Sequence, residues 1–304
     1  MQEKQQFEQE LEKLLRPEQL RREEPLSRHT TFRVGGAAEY FVTPELGQIP
    51  QVVALCKRYD LPLTVIGNGS NLLIADAGLR GVVMEIGRAA AGITVTDGTD
   101  LLVQAGTLLS EAANTAAKHG LAGMEFAAGI PGSMGGAVVM NAGAYGGEMK
   151  DILTEVRVLT LEGEILVRPA QELDLSYRHS RMMDEGELVL EARVHLEKDD
   201  EAAIRARMEE LKKKRVEKQP LEYPSAGSTF KRPEGYFAGK LIEDAGLRGF
   251  RVGDAQVSEK HCGFVINRGS ATAADIIELM HQVQLRVREQ SGVDLEPEVR
   301  LLGF

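Results

Sequence analysis

Cysteine is scarce. Cys56 and Cys262 are the only two in 304 residues, too few for a disulfide framework and not spaced as C-x-x-C. The six histidines show no H-E-x-x-H spacing, so no metal centre is expected, and a reducing cytoplasm suits the two thiols. Basic charge is also in deficit: 36 Lys plus Arg stand against 46 Asp plus Glu, a net −10, so a polyanion meets net repulsion and nucleic acid is not an expected partner. No stretch has the makings of a membrane segment. Residues 1–25 are dense in Glu, Gln, Lys and Arg and lack the apolar core of a secretory signal. Residues 126–147 carry no charge over 22 positions, yet their seven Gly and one Pro defeat a continuous helix, so they read as a buried loop system. With 43% apolar and 27% charged residues the chain is expected to fold, and its length allows two or three packed units.

Phe7, Leu11, Leu14 and Leu15 fall at i, i+4, i+7 and i+8, which predicts an amphipathic leader helix ending near Pro17, docked ahead of the main body. Three regions follow from the pattern: the leader over 1–24, a mixed unit over 25–197 and a second unit over 198–304. In the mixed unit β-like runs at 65–66, 82–86, 93–95, 101–104, 156–159, 165–167 and 188–196 alternate with helical pattern. Glu162-Gly163 is a hairpin turn signal, and Leu188, Leu190, Ala192, Val194 and Leu196 alternate as one buried face. Residues 110–118 read as a helix closed by Gly120. Lys198-Asp199-Asp200-Glu201 opens another, which acquires Lys212, Lys213, Lys214, Arg215 and Lys218 before Pro220; this basic run is either a solvated helix end or a clamp for an anionic substrate. Thr272 with Asp275 forms a capping-box pattern, and Ile276, Leu279, Met280, Val283 and Val287 supply the inward stripe of a long helix ended by Gly292. There is no internal repeat.

Two glycine-rich segments are where chemistry is expected. Residues 63–71 run from an apolar strand into Gly67-Asn68-Gly69-Ser70-Asn71, a turn able to present backbone N–H groups to phosphate oxygens. A dinucleotide G-x-G-x-x-G fingerprint would need its third glycine where Leu72 stands, and no G-x-x-x-x-G-K-[ST] occurs. Residues 129–147 let a large flat ligand approach bare backbone, or serve only tight packing between elements.

Five segments together resemble a known family: V-I-G-N-G-S-N-L-L at 65–73, G-I-P-G-S-M-G-G-A-V-V-M-N-A-G-A-Y-G-G-E at 129–148, Tyr177-Arg178, S-A-G-S-T-F-K-R-P at 225–233 and L-E-P-E-V-R at 295–300. They match, in order and approximate spacing, the UDP-N-acetylenolpyruvoylglucosamine reductase (MurB) family, and the shorter type II branch is the nearer likeness because there is no room for a tyrosine-bearing substrate loop. The resemblance implies an α+β fold: an FAD-binding domain of the vanillyl-alcohol oxidase and p-cresol methylhydroxylase (PCMH/VAO) type, built of two α+β subdomains, then an α+β substrate-binding domain. It implies noncovalent FAD, NADPH as co-substrate, a sugar-nucleotide substrate, a monomer, no nucleic acid and no membrane insertion. The cofactor contacts it implies are Gly67, Asn68, Gly69, Ser70, Asn71, Gly129, Ile130, Pro131, Gly132, Ser133, Gly135, Gly136, Ala137, Asn141, Gly143 and Arg178.

Reducing an enolpyruvyl ether takes a hydride at one alkene carbon and a proton at its neighbour, and no side chain is a practical hydride donor, which is why a flavin suits the reaction. The resemblance places Arg178 and Glu298 as stabilisers of the enolate and Ser228 as the proton donor. Arg178 offers a planar, permanently charged fork to a carboxylate; read without context it pairs with an acid such as Asp174. Glu298 helps only when it holds a proton. Ser228 follows Gly227 in a turn, with no acid-histidine pair to make it a hydrolase nucleophile. Lys218, Lys231 and Arg232 are weaker matches for the substrate diphosphate. Two other readings stay open: a flavin oxidase or dehydrogenase acting on another alcohol or sugar, and a nucleotide-binding regulatory module without turnover.

Overall fold

The computed structural model describes residues 2–304; Met1, the start of the expected leader, lies outside them. The chain forms two compact units that interleave in sequence. The first takes the segments up to Arg22, Tyr40–Asn68 and Gly81–Lys214, and the second takes Glu23–Glu39, Gly69–Arg80 and Arg215–Phe304.

In the first unit the leader is a helix, Gln2–Leu14, whose Phe7 and Leu11 are fully buried. The Phe7 ring meets Tyr40 and Tyr59 edge-on at 5.5 and 5.7 Å. Tyr40 donates its hydroxyl to Glu8 Oε1 at 2.6 Å, and burial, then that carboxylate, push the phenol up to about 12. The leader is therefore a core element, as its spacing predicted. Phe7→Ala is expected to lower stability by about 3–5 kcal/mol, the usual cost of removing a buried phenyl group, read as a shift of the urea midpoint.

Two sheets build the rest of this unit. One is four-stranded in the order Leu20–Pro25, Ala37–Val42, Leu79–Glu85, Leu63–Ile66, and its last two strands run parallel. The other is antiparallel in the order Ile165–Pro169, Leu153–Leu159, Leu188–His195, Asp100–Gln104, Ile93–Thr96. The Glu162-Gly163 turn is formed, with Gly163 at φ +94° and Gly163 N donating to Thr160 O. Every strand read from the sequence is present, with one difference of facing. A bulge slips the pairing from Arg157↔Glu191 to Val158↔Val189, so Val189 is buried beside Leu190 while Leu188 is only half-buried. An extra residue reverses the alternation beyond it. The helix Leu109–Lys118 closes at Gly120, φ +64°.

Two expectations are corrected in this unit. The uncharged stretch 126–147 is not a loop system throughout: it contains the end of a short 3₁₀ turn (Glu125–Gly129) and a helix (Met134–Val139), and Gly129, Pro131, Gly136 and Tyr145 are exposed. Missing charge marked backbone packing rather than uniform burial. The basic-ended helix starts at Glu201, because Glu197–Lys198 pair as strand with Leu121–Ala122 and Asp200 Oδ1 accepts from Ala203 N at 3.0 Å as the cap. Its Lys212 and Lys214 make exposed pairs with Glu209 and Glu210, a solvated helix side.

The second unit packs a small antiparallel sheet (Arg251–Val252, Ala255–Val257, Val265–Asn267) with the long helix Ala273–Ser291. The capping box is formed reciprocally: Asp275 N donates to Thr272 Oγ1 and Thr272 N to Asp275 Oδ2, both at 3.0 Å. Asp76 adds a second cap from a distant segment, accepting from Ala273 N and Ala274 N. Ile276, Leu279, Met280, Val283 and Val287 are buried, and Gly292 ends the helix at φ +71°. A parallel pair, Leu72–Ile74 with Arg300–Leu302, ties the chain's end beside the strand that follows the first glycine turn. Both cysteines are free and buried, and burial pushes the Cys56 thiol up to about 11. Among the described residues no helix is long and apolar enough to cross a membrane.

Candidate active site

In the first unit the two glycine segments meet. The strand Leu63–Ile66 ends at Gly67-Asn68, and Asn68 Nδ2 donates to Pro131 O at 2.6 Å. A Cβ on Gly67 would stand 2.4 Å from Ser133 Oγ, and one on Gly136 would have only that same hydroxyl within 4 Å, at 3.6 Å. Ser133 is therefore a hydroxyl set between two bare backbones, and it lines a cleft of about 140 Å³ with Asn68, Glu85, Gly87, Arg88 and Glu111. A cleft of this size holds part of a dinucleotide, not the whole. Its backbone donors are not all available: Met134 N donates to Thr107 O at 2.8 Å and Gly135 N to Ala105 O at 2.9 Å.

Arg178 belongs to the same unit, at the tip of a tight turn. Ser176 and His179 exchange backbone hydrogen bonds at 3.2 Å, and Arg178 itself is left-handed at φ +57°. Its guanidinium reaches Gly143 O at 3.5 Å and stacks on Tyr177, 5.0 Å from the ring centre. The turn is moored by Asn141, which is fully buried. Asn141 Nδ2 donates to Ser176 O at 3.0 Å and to Glu148 Oε2 at 2.7 Å, and its Oδ1 accepts from Lys150 N. That amide is committed within the protein and acts on the turn that presents Arg178.

Ser228 and Glu298 belong to the second unit, on adjacent segments. Between them lies Thr229, 1% exposed: its N–H donates to Gly263 O, its Oγ1 accepts from Val265 N, and its carbonyl accepts from Glu298 N, each at 2.9 Å. Lys231 N to Glu296 O at 2.8 Å continues the pairing. The buried threonine pins the segment so that its neighbour Ser228 is exposed, while Glu298 is half-buried. Asn71 Nδ2 donates to Glu298 O at 3.1 Å, joining the first glycine turn to the Glu298 segment. The nearby His261 accepts from Gly263 N through Nδ1; burial, helped by Arg248 and Lys218, lowers its proton affinity. Lys218 ends its helix in solvent, Lys231 pairs with Glu296 at 3.2 Å, and Arg232 stacks 3.9 Å above Phe237.

One segment escaped the sequence reading. His29-Thr30-Thr31 packs on the turn at Gly69: Thr31 N donates to Gly69 O at 3.2 Å, and a Cβ on Gly69 would stand 1.9 Å from His29 O. Thr31 Oγ1 is buried with no hydrogen-bond partner among the described residues, a state that usually signals an absent partner group. The Gly35-Gly36 pair just after it was the available signal. In the first unit a hydroxyl set between bare glycines offers a flavin dinucleotide a polar contact and a close approach to backbone, and those residues fit that group.

Comparison with known proteins agrees. Residues 38–167 match the model of an FAD binding domain, and residues 219–302 that of the UDP-N-acetylenolpyruvoylglucosamine reductase C-terminal domain. The reductase of that name from Agathobacter rectalis is 56% identical over 93% of this chain and 94% of its own length; that from Lachnoclostridium phytofermentans is 55% identical over 97% and 96%. The crystal structure of the Thermus caldophilus reductase (MurB) superposes with a TM-score of 0.80 at 37% identity, covering 91% of this chain and 97% of that one. A 4-ethylphenol oxidase from Gulosibacter chungangensis, at 16% identity and a TM-score of 0.50 over 65% of this chain and 43% of its own, shares the fold alone. From the paired glycine turns, the pinned serine and near full-length identity, it follows that this chain belongs to the UDP-N-acetylenolpyruvoylglucosamine reductase family.

Proposed function

We propose that this chain reduces UDP-N-acetylenolpyruvoylglucosamine to UDP-N-acetylmuramate, a step of peptidoglycan precursor synthesis, with NADPH as reductant and FAD bound noncovalently. Identity of 56% over 93% of the chain with a reductase of that name carries the reading. We assign cofactor binding to 25–197 and substrate binding to 198–304, and place the enzyme in the cytoplasm as a monomer. The segments 67–71 and 129–137 hold the FAD, with Gly67, Asn68, Ser133 and Gly136 giving it the closest approach.

FAD, held by the segments 67–71 and 129–137, would supply the hydride chemistry that no side chain offers, with NADPH as its source and the terminal carbon of the enolpyruvyl group as its destination. The residues of the chain manage the charge and the proton that remain. Arg178 forks onto the substrate carboxylate, where negative charge accumulates as the enolate forms. Ser228 delivers its hydroxyl proton from Oγ to the carbon beside that carboxylate; its exposure and the backbone bonds that pin Thr229 leave the hydroxyl free to meet a ligand and rigid enough to aim. The Glu298 carboxyl, when it carries a proton, donates to an enolate oxygen. Lys218, Lys231 and Arg232 are the cations we assign to the diphosphate, Lys231 lying beside Glu296 and Arg232 on the Phe237 ring.

The test is an absorbance scan of the purified protein followed by additions without oxygen. Flavin absorbance is expected, bleached by NADPH and restored by UDP-N-acetylenolpyruvoylglucosamine. A colourless protein, or one whose flavin NADPH does not bleach, overturns the reading. Restoration by oxygen but not by the enol ether indicates an oxidase.

A further inference from the structure

His179 follows Arg178 directly and is held from two sides. Its Nδ1 lies 3.2 Å from Asp174 O and its Nε2 lies 3.0 Å from Asp184 Oδ2. Both partners are acceptors only, a carbonyl and a carboxylate, so both ring nitrogens must donate, and an imidazole donates from both only as the cation. The two partners flank the turn: Asp174 precedes it, itself left-handed at φ +47°, and Asp184 stands on the helix Arg181–Glu185 that follows. Ser180 Oγ to Val139 O at 2.6 Å and Asn141 to Ser176 O hold the feet of the turn, and the His179 ring, set between Asp174 and Asp184, ties together the segments on either side of its tip, Tyr177-Arg178. A non-glycine residue at φ +57° persists only where its surroundings hold it.

We propose that His179, as an imidazolium bridging Asp174 and Asp184, is the positioning residue that fixes Arg178 for the enolate step. The inference rests on the role given to Arg178 above. The charged groups that act on the ring are Asp184 and the Asp174 carboxylate, whose Oδ2 lies 3.9 Å from Nδ1; Arg178 is its neighbour in sequence, and Arg181 on the next helix is paired with Glu185. The Asp174 carbonyl first, and Asp184 after it, raise the proton affinity of His179 against the opposing effect of burial. A raised value means the clamp is fully formed below the ordinary histidine range and is lost as pH climbs through the raised value. His179 and both aspartates are partly or largely exposed, so salt weakens the clamp as well.

The experiment uses the FAD-loaded enzyme in stopped flow, with each half-reaction followed separately from pH 6 to pH 9, together with nitrogen NMR of the histidine rings, His179→Gln supplying the assignment. At the acid end both His179 nitrogens are expected to be protonated. Oxidation of the reduced enzyme by UDP-N-acetylenolpyruvoylglucosamine should fall on the order of 10-fold as that proton leaves, while reduction by NADPH keeps its own profile. His179→Gln should show the slow rate at every pH, and His179→Arg, which keeps charge and donors, should recover the fast rate at high pH. The inference is overturned by a wild-type rate in His179→Gln, by equal loss of both half-reactions, or by a neutral ring at the acid end. Arg178→Lys separates the two layers: if it is impaired while His179→Gln is not, only the clamp fails, and if it is unimpaired, the role of Arg178 itself fails.

Discussion

Ser228→Ala is expected to leave reduction by NADPH intact and to slow oxidation by the enolpyruvyl substrate on the order of 10²- to 10⁴-fold, the span typical of a lost general acid. The asymmetry follows from the chemistry, because only the second half-reaction needs a proton at carbon. It also follows from the structure. Thr229 makes the hydrogen bonds that hold the segment, whereas Ser228 is exposed, so deleting its hydroxyl removes no packing. Stopped-flow traces of the two half-reactions check this, and equal loss in both reassigns Ser228 to folding or to binding.

Gly69→Ala is expected to be the most damaging single methyl in the cofactor turns. The residue is at φ +60°, where a side chain costs roughly 1–2 kcal/mol, and the new Cβ would stand 1.9 Å from the His29 carbonyl oxygen, a backbone atom that cannot rotate away. Together these predict destabilisation of about 2–4 kcal/mol, with loss of bound FAD because the turn and the His29–Thr31 segment must part. A thermal melt and the flavin-to-protein absorbance ratio measure the two effects. Gly98→Ala is the control for conformation alone, since at φ +74° nothing lies within 4 Å of its Cβ position; it should cost only the backbone strain and keep the cofactor. Equal behaviour of the two variants removes the close approach at Gly69 from the argument.

Much of this was legible in the sequence because it depended on neighbours along the chain. The leader stripe, the Thr272–Asp275 box, the Gly120 and Gly292 stops and the hairpin at Glu162-Gly163 are local patterns, and each formed where its spacing placed it. The misreadings arose where a distant segment intervened. Pairing of Glu197–Lys198 with Leu121–Ala122 delayed a helix, and a bulge opposite Arg157–Val158 left Leu188 at the edge of the core, only half-buried, while Val189 is buried. The candidate site divides the same way. Ser228, Arg178 and Glu298 stood out through motif resemblance, but nothing along the chain announced that Thr229 would pin Ser228 or that the Asn141 amide would be spent on the Arg178 turn.

Hydrophobic period, capping chemistry and glycine placement determined which elements this protein has, because those forces act over a few residues and need no partner from elsewhere. Its tertiary structure decided which bare backbones face each other: Gly67 and Gly136 about one serine hydroxyl, Gly69 against His29, and Asn71 on the Glu298 segment, 227 positions away. Such meetings are settled by which surfaces pack with least unsatisfied polarity once the chain is folded, and no local pattern encodes that competition.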